Sequence, residues 1–104
     1  MKEITVQDLK AKLDANEDFQ LIDVREQNEF DFVNNGGELI PMGTVLDNLD
    51  KIDKTKEVVV MCRSGKRSAN VINALQAKGY NNLANLEGGI LAWAREIDTT
   101  LPTY

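Results

Sequence analysis

Histidine is absent from this 104-residue chain, and cysteine occurs once, at Cys62. One thiol with no imidazole leaves no ligand set for a zinc cluster and no partner for an internal disulfide. An unpaired thiol fits a reducing compartment, so a cytoplasmic location is expected. No apolar run approaches the roughly 20 residues that a membrane helix needs. The opening Met1-Lys2-Glu3-Ile4 lacks the apolar core of an export signal. Repeats, low-complexity tracts and linkers are also missing. The length suits one domain, residues 1–104, with a hydrophobic core of its own, and a monomer is the default expectation.

Positive charge is scarce as well. Twelve Lys and Arg against seventeen Asp and Glu give a net charge of −5, which argues against nucleic acid or an anionic membrane as partner. The scarcity is uneven. Cys62 to Ser68 holds Arg63, Lys66 and Arg67 and no acid, so this segment carries +3 and leaves −8 on the remainder. A basic island surrounds the only thiol.

Short apolar runs alternate with helical periodicity. Thr5 reads as an N-cap, with Val6, Leu9 and Leu13 on one face of a helix running to about Ala15. Phe19–Val24 reads as a buried strand, Gln27–Val33 as a short helix, and Leu39-Ile40 as the start of another strand. One helical turn is expected at Asp47–Leu49. Val58-Val59-Val60-Met61 is continuously apolar and mostly β-branched, as in a parallel strand buried on both faces. A helix over Ala69–Lys78 follows, closed by Gly79, then a strand at Leu83–Leu86 and a helix after Gly88-Gly89 carrying Ile90, Trp93 and Ile97. The alternation predicts an α/β fold with a mainly parallel sheet.

Cys62 therefore stands at the carboxyl end of a strand, and Arg63-Ser64-Gly65-Lys66-Arg67-Ser68 leads from it into a helix. In open α/β sheets that edge faces the ligand crevice. Unpaired N–H groups and the helix dipole there favour an anion, and a thiolate is one. An ordinary thiol is only a few per cent ionised at neutral pH, and this environment lowers its pKa. The competing reading is a cysteine buried as core after an apolar strand. The polar loop argues against it, because such a loop belongs at the surface with its thiol reachable by solvent.

Cys62-Arg63-Ser64-Gly65-Lys66-Arg67-Ser68 resembles the active-site loop of rhodanese-like domains. Leu21-Ile22-Asp23-Val24-Arg25-Glu26 with Glu29-Phe30, Leu86-Glu87-Gly88-Gly89-Ile90-Leu91-Ala92-Trp93 and Leu101-Pro102 match the same family in order. The resemblance implies a five-stranded, mainly parallel sheet flanked by helices on both faces. It implies a sulfurtransferase that takes sulfane sulfur from a small anionic donor such as thiosulfate and holds it as a persulfide on Cys62. The acceptor would be a low-molecular-weight thiol, a thioredoxin-like protein or, in assays, cyanide, and no cofactor or metal is required. The amides of Arg63 to Ser68 would cradle the outer sulfur, while Arg63, Lys66 and Arg67 attract the donor and stabilise departing sulfite. A thiolate of low pKa needs no histidine base.

Where the family commonly carries Gly-His-Ile-Pro-Gly-Ala, this chain has Gly36-Gly37-Glu38-Leu39-Ile40-Pro41-Met42-Gly43, a departure bearing on local packing and the pocket rim. Asp23 and Arg25, at a strand end, are expected to position the cysteine loop or to pair with Glu29. Trp93 is expected in the core, Gly88-Gly89 in a tight turn, and Asp47, Asp50 and Asp53 on a solvated face. Two other functions compete. A cysteine phosphatase or arsenate reductase would place more residues between the cysteine and its closing arginine than Arg63 to Lys66. A non-catalytic rhodanese-like binding or regulatory module would have no need of the thiol.

Overall fold

A computed structural model describes residues 1–104. Five strands, β1 (Glu3–Ile4), β2 (Gln20–Asp23), β3 (Glu38–Leu39), β4 (Val58–Met61) and β5 (Leu83–Leu86), form one sheet in the order β1-β5-β4-β2-β3. Every pairing is parallel. All carboxyl ends therefore lie along one edge, and Cys62 leaves the central strand at the middle of it. The four helices are α1 (Val6–Asp14), α2 (Gln27–Phe32), α3 (Lys66–Ala77) and α4 (Gly89–Glu96), with two 3-10 segments at Met42–Asp47 and Leu49–Lys51.

Side chains of β4 alternate across the sheet and divide the core in two. Val58, Val60 and Cys62 join Val71, Ile72 and Leu75 of α3 on one face. Val59 and Met61 join Leu9 of α1 and Ile90 and Trp93 of α4 on the other. Helices thus cover both faces, which explains why all four residues of β4 are apolar. Trp93 is core, as expected.

α1 starts where Thr5 predicts. Its hydroxyl accepts the Asp8 N–H at 3.1 Å, and the Asp8 carboxylate accepts the Thr5 N–H at 3.0 Å. One strand goes beyond the elements read from the sequence, and two local expectations need correction. β1 has two residues, too few to show a period, and exists because β5 offers an edge to Glu3 and Ile4. The helical turn expected at Asp47–Leu49 is two 3-10 segments, Met42–Asp47 and Leu49–Lys51, where Val45 buries while Asp47 and Asp50 stay exposed, and Ile52 buries just after them. α3 begins at Lys66 rather than Ala69. Gly65 adopts φ +110° and caps the helix, so Lys66, Arg67 and Ser68 form its first turn although they precede its apolar stripe.

Candidate active site

The alternation that turns Val60 toward α3 also turns Cys62 that way, and its Sγ meets the amino end of that helix. The Gly65 N–H donates to Sγ at 3.1 Å, and the Ser68 Oγ lies 3.4 Å from it. Burial pushes the thiol pKa up. Hydrogen bonds from the Ser68 side chain and from the backbone N–H groups of Ser68, Gly65 and Ser64 outweigh burial and hold it below its ordinary value. These are the nest contacts expected of a loop at a helix amino terminus.

The loop is braced from three sides. α4 points its first N–H groups at the main chain: Ile90 N–H donates to the Cys62 carbonyl at 2.9 Å and Leu91 N–H to that of Arg63 at 3.2 Å. Gly89 makes this approach possible, since a Cβ there would lie 2.4 Å from the Cys62 oxygen. Gly88-Gly89 is the tight turn expected, and its helix holds the loop backbone.

Asn85, in β5, supplies the second brace. Its Nδ2 donates to the Gly65 carbonyl at 3.1 Å, and its Oδ1 lies 2.6 Å from the Ser68 Oγ. Ser68 has one hydroxyl proton, so it serves Asn85 and the sulfur by turns. Sequence reasoning passed over Asn85. The available signal was an amide inside Leu-Ala-Asn-Leu, an apolar strand where a buried polar group requires partners.

The third brace is ionic. Arg67 presents a two-pronged contact to Glu29 of α2, Nη1–Oε1 2.7 Å and Nη2–Oε2 2.9 Å. These bonds hold the Glu29 carboxyl down at about 2. Of the two roles open to Arg25, the ion pair with Glu29 does not form; its guanidinium donates instead to the Glu29 main-chain carbonyl at 3.3 Å. Its carboxylate partner is Asp23, at 2.8 Å through Nη2, with both side chains fully buried. Arg25 Nη2 also reaches the Val33 carbonyl at 2.7 Å. The pair thus ties the end of β2 to α2, and neither side chain hydrogen-bonds the cysteine loop itself. A charged pair can persist at zero exposure because its donors and acceptors are this fully engaged.

Two further expectations change. Arg67 was expected to face the donor, yet Glu29 occupies its fork. Cys62 was expected to be reachable by solvent; Ser64 and Lys66 are exposed, but Cys62 is only 1% exposed. The strand's alternation points Sγ inward beneath its own loop. Of the three cations, Lys66 makes no ion pair, and Arg63 is held by Tyr104, a residue sequence reasoning did not single out. The roomy cavities lie elsewhere. One of about 360 Å³ is lined by Lys2, Glu57 and Asn82, beside the amino ends of the strands.

The comparisons with known proteins agree on one family. The family model described as "Rhodanese-like domain" matches residues 5–96. A Bacillus subtilis protein named "Putative sulfurtransferase YtwF" is 42% identical, the match covering 92% of this chain and 93% of that protein. An Allochromatium vinosum protein named "Sulfurtransferase" is 36% identical over 91% of this chain and 90% of its own. Among solved structures, a rhodanese-like domain protein from Staphylococcus aureus superposes with a TM-score of 0.84 at 37% identity, covering 100% of this chain and 99% of that one.

Proposed function

We propose that this chain, which belongs to the rhodanese-like domain family, moves sulfane sulfur from a small anionic donor such as thiosulfate to a thiol through a persulfide on Cys62. The observation that carries the proposal is the donor set converging on Sγ, with Gly65 N–H at 3.1 Å and Ser68 Oγ at 3.4 Å. Such donors favour the thiolate, the nucleophilic form.

The reaction has two displacements. In the first, the Cys62 thiolate attacks the outer sulfur of thiosulfate. An S–S bond forms, the bond from that sulfur to the sulfonyl group breaks, and sulfite departs with the electron pair. In the second, an acceptor thiolate attacks the outer sulfur of the persulfide and Cys62 leaves as thiolate. Charge and atoms balance in both, and neither step needs a base at Cys62. The persulfide's outer sulfur carries the negative charge and becomes the ligand of the amides from Arg63 to Ser68. Lys66 and Arg63 draw in the doubly charged donor and stabilise departing sulfite, while Arg67 adds field from behind its contact with Glu29. Asp23 and Arg25 are positioning residues.

We assign this chemistry to one domain acting as a monomer in the reducing cytoplasm, where an unbridged thiol persists. The acceptor is a low-molecular-weight or thioredoxin-like thiol. The phosphatase reading receives less support, because Arg67 spends both Nη groups on Glu29 rather than leaving a fork free for a phosphoryl oxygen. A pure binding module would not account for donors gathered around a thiol.

Mass spectrometry tests the proposal. Incubation with thiosulfate is expected to add about 32 Da, one sulfur atom, to the wild type, and nothing to Cys62→Ser. Loss of that mass on adding a thiol would complete the cycle. An unmodified wild type after exposure to both thiosulfate and a small persulfide would rule the mechanism out.

A further inference from the structure

Tyr104 reaches the rim of the candidate site from a segment that follows α4. Leu101 packs partly buried against the α1/α4 core. Pro102 and Thr103 are exposed and enter no hydrogen bond. Tyr104 then docks among the residues surrounding the cysteine loop. Its hydroxyl donates to Glu29 Oε2 at 2.6 Å and accepts from Arg25 Nη1 at 3.0 Å. Its ring lies 4.9 Å from the Arg63 guanidinium carbon and packs edge-on against Phe32, centroids 6.0 Å apart. Its main-chain oxygen accepts from Arg63 Nε at 2.8 Å and also from Arg63 Nη2.

The last contact is the informative one. Nε and Nη2 form one edge of the guanidinium, the edge that grips an anion with two parallel hydrogen bonds. Tyr104 already fills it with an oxygen of its own chain. The docked residue is tied mostly by polar contacts and is itself 38% exposed, while the two residues behind it have no hydrogen bonds to hold them. Such a segment belongs to the low-stability end of a fold, where local opening is easy. The Cys62 thiol, one residue before Arg63, is almost fully buried beneath its own loop, so an entering reagent needs some opening of the contacts that hold that loop.

We propose that residues 101–104 form a movable cap on the sulfur-transfer site, with Tyr104 as a gate that competes with the anionic donor for Arg63. The inference rests on the sulfurtransferase reading for its physiological meaning, but the gate itself is a property of access to Cys62. In the closed position it keeps reagents from the thiol and occupies the cationic fork. An anion able to take over the Arg63 edge opens it, so the gate favours donors carrying an oxyanion.

Alkylation of Cys62 tests this without any sulfur transfer. Rates with neutral iodoacetamide and anionic iodoacetate would be measured across pH for the wild type, Tyr104→Ala and Tyr104→Phe. Each profile yields a limiting thiolate rate and an apparent pKa. Loss of the pinning bonds, which engage charged groups, is expected to raise the limiting rate roughly tenfold in Tyr104→Ala. The gain should be larger for iodoacetate, because a segment released from Glu29 and Arg25 also carries its main-chain oxygen away from the Arg63 fork. Tyr104→Phe, which loses both hydroxyl bonds but keeps the ring, is expected to show a smaller rise, and it decides the question should the alanine variant not fold. Unchanged limiting rates, or gains accounted for by a moved pKa alone, would overturn the gate. A wild type that takes up no sulfur while Tyr104→Ala still alkylates faster would reject the sulfurtransferase reading and leave the gate standing.

Discussion

Replacing Glu29 by glutamine removes one charge and leaves the side chain's shape. Glu29 receives both prongs of Arg67, the Tyr104 hydroxyl and the Glu26 N–H, so four hydrogen bonds converge on one carboxylate between α2 and α3. Chiefly because of Arg67, its pKa lies at about 2 in the folded protein against an ordinary 4.5. That difference corresponds to about 3 kcal/mol of folding free energy. Arg67 is 31% exposed at its side chain, and solvent screening reduces the figure to about 2 kcal/mol. The Arg67 guanidinium is held up by the same contact, which counts once. The folded-state pKa is the lower one, so the contribution is fully present above about pH 5. It shrinks as pH falls through 4.5 and vanishes near pH 2. Glu29→Gln should therefore be about 2 kcal/mol less stable than the wild type at pH 7, roughly 10 °C in Tm for a domain of this size. Urea unfolding of both proteins between pH 2.5 and 7 measures the gap, which should close steadily below pH 4.5. A gap of equal size at pH 3 and pH 7 would refute the electrostatic argument, and so would no gap at pH 7.

Two other substitutions examine the loop. Ser68→Ala removes the side-chain hydrogen bond that contributes most to lowering the Cys62 pKa, so the thiol should titrate at higher pH. Alkylation followed against pH would then show a rightward-shifted profile and a slower rate near neutrality, with little change at alkaline pH; an unmoved profile would assign the shift to backbone amides alone. Gly89→Ala places a Cβ against the carbonyls of Cys62 and Arg63, at 2.4 and 2.5 Å, where main chain cannot yield cheaply. A loss of at least about 3 kcal/mol is expected, read by chemical denaturation, and a stable variant would show that α4 can retreat from the loop.

The Gly89 contact also shows how the site is assembled. Loop, helix ends and strand ends meet at one sheet edge because every strand runs in the same direction. Asp23 lies beside Met61 in register, so the segments that lead to Arg25 and to Cys62 leave the sheet side by side though far apart in sequence. Tyr104 joins them from the other end of the chain and links α2, the cysteine loop and the Asp23–Arg25 pair through its hydroxyl, ring and main-chain oxygen.

Much of this was legible beforehand. The unbroken apolar run Val58–Met61 marks the central strand, because a parallel strand covered on both faces needs no polar alternation. The basic loop after it marks the candidate site, since a cluster of three cations without acids stands out in an acidic chain. Thr5 marks the start of α1 because capping is a local bond between neighbours. These features depend on residues close in sequence, so composition and spacing carry them.

What the fold alone decided depends on residues distant in sequence. Arg67 faces Glu29 rather than an open crevice, and Arg25 takes Asp23 as its carboxylate, because the packing of α2 against the sheet edge selects among several possible partners of opposite charge. Asn85 acquires its part from the Gly65 carbonyl and Ser68 hydroxyl brought beside it. The burial of Cys62 follows from strand alternation beneath a folded-over loop, whose polar composition pointed outward. Local sequence determines which groups can donate, accept or carry charge; pairing across long separations is chosen only when the sheet brings its carboxyl ends together.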